Sequence, residues 1–119
     1  MAFDEGLAQR IRDVLQDVPD PWQEKKMFGG LCFMVRGHMA FGIVGDELMV
    51  RLGKDRWEFA LKQPHAREMD FTGRSLKGMV YVDVDGIADE DDLERWMQLG
   101  IDNARSLPPK KPKKKPQLG

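Results

Sequence analysis

One cysteine, two histidines and one tyrosine are present among 119 residues, and no long apolar run. Each scarcity excludes something. Cys32 stands alone, so no internal disulfide forms, and a reduced, cytoplasmic setting is the expectation. One cysteine with His38 and His65 falls short of the four Cys or His ligands of a structural zinc site. No stretch approaches about 18 apolar residues, so no membrane span is expected. Met1-Ala2-Phe3-Asp4-Glu5 lacks the basic and apolar regions of a leader peptide. Gly29-Gly30 lacks the Gly-Lys-Ser/Thr ending and following helix of a phosphate loop. Asp83, Asp85 and the run 89–92 lack the calcium-loop spacing and read as strand-end and helix-cap residues. Neither metal nor cofactor is expected, and no catalytic residues are assigned.

The composition, 41% hydrophobic and 33% charged, is that of a globular chain, and its length suits one domain. The formal charge of −1 hides an asymmetry. Residues 108–119 carry five of the 19 basic residues and no acid, which leaves −6 on residues 1–107. The expectation is an acidic domain over 1–107 and a disordered lysine–proline tail over 108–119.

Leu7, Ile11, Val14, Leu15 and Val18 recur at helical spacing behind Asp4, a fair N-cap, and Pro19 and Pro21 end that helix. Strands are expected near 25–36, 38–44 and 47–52. Gly37-His38 and Gly45-Asp46 are the turns between them. Gly29-Gly30 reads as a bulge or a close backbone approach. Asp55 and Glu58 have capping-box spacing ahead of a short helix to Leu61. A strand over 68–71 and a clear one over 79–84 follow, then a helix over 89–106 with an acidic start. Gly100 inside that helix costs roughly 1 kcal/mol against alanine, so something is expected to pack closely there. Together these make a two-layer α+β domain on an antiparallel sheet, in the order α-β(3)-α-β(2)-α.

Cys32, with His38 six residues on, is the one pairing with nucleophilic chemistry, and its apolar neighbours favour a buried, inert thiol instead. Both histidines read as exposed turn residues. Six of the eight methionines, Met27, Met34, Met39, Met49, Met69 and Met79, lie in or beside strands, where they fill the core or face a partner. Arg51, Lys54, Arg67, Arg74 and Lys77 lie at strand ends and in the adjoining loop, and form an anion or partner site if they converge. Lys110, Lys111, Lys113, Lys114 and Lys115 would attract phosphate backbones. Without aromatics to stack on bases, that binding would be weak and non-specific.

Lys26-Met27-Phe28-Gly29-Gly30, the run from Phe41-Gly42 to Leu48-Met49-Val50-Arg51, the segment from Met69 to Arg74, Gly78-Met79-Val80-Tyr81-Val82 and the stretch from Ala104 to Pro108 together resemble the N-terminal domain of the TfoX (Sxy) family. These are bacterial proteins linked to competence regulation. The resemblance spans nearly all of residues 1–107 and implies the same α-β(3)-α-β(2)-α order. It supplies no catalytic residues. Longer members carry a second, helical domain, where this sequence has the run 108–119. The expectation is a non-enzymatic regulatory domain acting through a protein partner, as a monomer or homodimer. Two alternatives stand beside it: nucleic-acid association through the basic tail, and a small-molecule binder or enzyme using the Arg51/Arg74 region or Cys32.

Overall fold

The structure, a computed structural model, describes residues 4–27, 30–71 and 74–107, with the side chains of 27, 69–71 and 74–77 excepted. Its elements in chain order are α1 (Glu5–Leu15), β1 (Trp22–Met27), β2 (Gly30–Val35), β3 (His38–Val44), β4 (Glu47–Arg51), α2 (Lys54–Leu61), β5 (Ala66–Phe71), β6 (Arg74–Val82), a 3-10 turn (Val84–Gly86) and α3 (Glu90–Ser106). The strands form one antiparallel sheet in the order β1-β2-β3-β4-β6-β5. The α+β class and the helix–strands–helix–strands–helix order are those expected.

The first strand run divides in two. Residues 22–27 and 30–35 pair with each other, Met27 opposite Gly30 and Trp22 opposite Val35, so four strands precede α2 rather than three. Residues 22–27 are mostly polar, as suits a strand at a sheet edge, where charge discourages pairing with other chains. Gly30 is a close approach: a Cβ there would stand 2.1 Å from the Ile43 carbonyl oxygen of β3. The irregularity in this pairing falls between Phe33 and Met34 instead, and Gly29 lies outside the described residues.

Asp4 caps α1 as read, its carboxylate accepting from the backbone of Gly6 (2.9 Å) and Leu7 (3.2 Å). Past Leu15 the backbone tightens, with Asp17 and Val18 bonding three residues back. The Asp55 capping box does not form. Gly53 is the N-cap, at φ 91°, and no side chain caps α2. The amides of Leu52 and Gly53 both donate to the Gly78 carbonyl, which fixes the exit from β4 on β6 and starts the helix at Lys54. The strand expected to reach residue 84 stops at Val82, because the Asp83 side chain accepts from Gly86 and folds residues 84–86 into the 3-10 turn.

One face of the sheet holds the main core. Phe33, Phe41, Ile43, Leu48, Val50 and Val82 point into it and meet Leu7, Ile11 and Leu15 of α1 and Leu93, Met97 and Ile101 of α3. Gly100 lets α3 settle against β3; a Cβ there would lie 2.4 Å from the Ala40 carbonyl oxygen, which is the close packing its place in the helix implied. The terminal residues 108–119, with the expected disorder of the tail, lie outside the described residues.

Candidate protein-interaction surfaces

Among the described residues, two surfaces stand out once the core is filled. The first is the sheet face turned away from the helices. Strand alternation sends Cys32, Met49 and Tyr81 there, and cross-strand register aligns Lys25, Cys32, Gly42, Met49, Tyr81 and Arg67 into one row across all six strands. Gly42 leaves room for a neighbour: a Cβ there would meet the Met49 methyl carbon at 2.7 Å. Cys32 and Met49 are each 1% exposed, with Met39, Val44, Met79 and Tyr81 packed around them. This face is therefore a small second core with its own apolar cover. Burial pushes the Cys32 thiol up from its ordinary pKa, which suppresses thiolate. His38 pairs with Val35, three positions along β2 from Cys32. The nucleophile reading gains no support from this geometry.

Of the cationic set, the side chains of Arg51, Lys54 and Arg67 fall among the described ones. Arg67 grips Glu47 through two bonds (2.8 and 2.6 Å) while lying 4.9 Å over the Tyr81 ring. Its guanidinium is held above its ordinary pKa first by that bond to Glu47. Arg51 stands opposite Met79, on the same face as Arg67 but across β6 and two residues along it. Lys54 opens α2, which packs over the helix-covered side. Arg74 and Lys77 are on β6, and their side chains, like Lys110, Lys111, Lys113, Lys114 and Lys115 of the tail, lie outside the described ones.

The second surface is a groove between α2 and α3. These helices pass antiparallel. Gly53 sits beside Asn103, Arg56 pairs with Asp102 at 3.4 Å, and farther along a cavity of about 580 Å³ opens between Phe59 and Leu99. Trp96, 7% exposed, forms part of its wall, and the ion-paired Asp92 and Arg95 border it. Phe59 is 58% exposed, the most exposed large apolar residue among those described. Helical spacing explains this. Ala60 is buried and Trp57 and Leu61 pack on the core, while Phe59, two residues from each of that pair, turns about 200° away. Sequence reasoning passed over Phe59; the signal was an aromatic off the Trp57/Leu61 face.

His65 borders the same cavity. Its backbone is left-handed at φ 72°, and its Nδ1 lies 3.1 Å from Asp83 Oδ1. Among the described residues, no helix is long and apolar enough to cross a membrane.

A family model described as the TfoX N-terminal domain matches residues 13–104, most of the chain and nearly all of the described fold. No curated protein and no solved structure matches.

Proposed function

The chain belongs to the TfoX N-terminal domain family, a membership that supports a regulatory or interaction-type domain, and we propose that it acts without catalysis by receiving a protein partner in the α2–α3 groove. The observation that carries this reading is Phe59, more than half exposed on the wall of an apolar cavity that also holds Trp96 and Leu99. With Phe59 58% exposed, the burial it forgoes is roughly 1–2 kcal/mol, which a partner's apolar anchor would recover. The partner's chemistry follows from charge. Asp92 in the lining is balanced by Arg95, so the preference comes from the domain as a whole, since residues 1–107 carry −6. An apolar anchor flanked by lysine or arginine fits; a polyanion is repelled. A competence-regulating role of the kind the resemblance implies would run through this partner rather than through nucleic acid held by the domain.

The test is photo-cross-linking in a native extract from a benzophenone side chain at position 63, on the groove rim, with position 34 on the opposite sheet face as comparison. The expected result is a discrete adduct from position 63 that Phe59→Asp abolishes. An adduct from position 34 alone, or one from position 63 indifferent to Phe59→Asp, places the interface elsewhere and rejects the reading.

A further inference from the structure

We propose that His65, Asp83 and Asp85 form a binding site for one divalent first-row transition-metal ion, of the zinc or manganese kind. One donor atom from each of the three lies within 4.8 Å of the others. The proposal rests on this cluster and stands whether or not the neighbouring groove receives a partner.

Distance is the first argument. An ion bonded to nitrogen and oxygen at about 2.0–2.2 Å, with tetrahedral or octahedral angles, holds adjacent donors roughly 3.0–3.5 Å apart. His65 Nδ1 and Asp83 Oδ1 are 3.1 Å apart. That separation is an ion-pair contact and also matches the edge of a coordination polyhedron, so an ion would replace the contact with little movement of either atom. Asp85 is exposed, so its carboxylate has room to swing inward and complete a third corner.

Donor chemistry is the second. Carboxylates alone suit magnesium, calcium or manganese; an imidazole among them shifts the preference toward zinc and its first-row neighbours, with manganese still served by the two carboxylates. Two carboxylates and one imidazole carry a charge of −2, which one divalent ion neutralises. Arg67 is a cation whose field reaches Asp83, and its charge is already taken up by Glu47.

Preorganisation is the third. The Asp83 amide donates to the His65 carbonyl (3.0 Å), which joins the loop after α2 to the end of β6. Gly86 packs beneath the histidine, where a Cβ would stand 2.7 Å from the His65 Cβ. The Gly86 amide also donates to the Asp83 carboxylate (3.2 Å) and orients it. The base of the imidazole and one carboxylate are thus held by backbone before any ion arrives, which lowers the cost of binding.

The experiment is calorimetric titration of the full chain with zinc chloride, and separately with manganese chloride, in a non-chelating buffer, paired with thermal melting. The wild type is expected to take one ion per chain and to melt higher with it, since an ion bound to the folded state stabilises it by mass action. His65→Asn removes the imidazole, and asparagine tolerates the left-handed backbone; Asp85→Asn removes an exposed carboxylate. Both are expected to melt like the wild type without metal and to bind at least about tenfold more weakly. His38→Asn, which removes the other histidine, is expected to bind normally. Absence of binding at millimolar metal overturns the proposal. So does unchanged affinity in His65→Asn and Asp85→Asn, or loss of the ion in His38→Asn.

Discussion

Arg67 on β5 crosses the whole width of β6 to grip Glu47 on β4, and the ring of Tyr81 lies beneath its guanidinium. An arginine that read as one member of an anion-binding set is a clasp across three strands. Its charge is met within the fold, by a carboxylate on one side and a π-face below.

Arg67→Met keeps the aliphatic cover on Tyr81 and removes the clasp. Arg67 is 53% exposed and Glu47 26%, so solvent screens the pair. The expected loss is modest, about 0.5–1 kcal/mol. Urea denaturation at low and at molar salt checks it: the difference from wild type is expected to shrink with salt. A double-mutant cycle with Glu47→Gln isolates the pair, and zero coupling contradicts the clasp.

Gly100→Ala tests the seat of α3 on β3. Helix propensity favours alanine by roughly 1 kcal/mol. The new methyl would lie 2.4 Å from the Ala40 carbonyl oxygen, and backbone cannot give way cheaply. Overpacking of about 1–3 kcal/mol is expected to win, so the variant melts lower. A variant as stable as wild type means that helix and strand are farther apart than described.

Cys32 is expected to react with a thiol reagent more slowly in the folded chain than a free model thiol, and at the model rate in denaturant, since it is 1% exposed and its pKa is raised by burial. Cys32→Ser places a hydroxyl among apolar neighbours. A cost of about 1–3 kcal/mol is expected if the hydroxyl finds no partner. Fast labelling of the native protein reverses this assignment.

Among the described residues, two carboxylates are held below their ordinary pKa and contribute to stability on the acid side. Asp20 is held below its ordinary pKa chiefly by its bond to Arg105, and Glu24 below its own chiefly by Arg12. Depressed folded-state values give stability that is present above the unfolded pKa values, about 3.8 and 4.5, and lost as pH falls through the folded ones. The melting temperature is therefore expected to fall below about pH 4.5, more shallowly in Asp20→Asn with Glu24→Gln. An acid profile unchanged in the double variant assigns the effect to other groups.

What was legible in the sequence had a local cause. Asp4 before a helical stripe, glycine at the β3–β4 turn and the valines of β6 each report a backbone state or a face from their immediate neighbours. Gly100 was legible as well, because a glycine that costs helix stability implies a close contact. β1 escaped as a separate strand because an edge strand needs few apolar residues, so 22–24 carried no signal and 25–27 read as the start of β2. The α2–α3 groove escaped for a different reason. Phe59 becomes exceptional only when Trp57 has turned inward and α3 has returned alongside, and His65 meets Asp83 only through the β5–β6 pairing. Residue type named Arg51, Lys54, Arg67, Arg74 and Lys77 as candidates; partners such as Glu47 could only be seen in three dimensions.

Arg105, in the last turn of α3, is bonded to Asp20 ahead of β1, and its carbonyl accepts from Arg36 in the β2–β3 turn. In mechanical terms this is an anchor point. Tension applied to the chain beyond Leu107 enters the last turn of α3 and passes at once into β1 and the β2–β3 hairpin, at the opposite edge of the sheet from β5. A load at that end would be shared by two polar latches before it reached the helix's apolar seat, so pulling there should peel the β1 edge ahead of the α2–α3 groove.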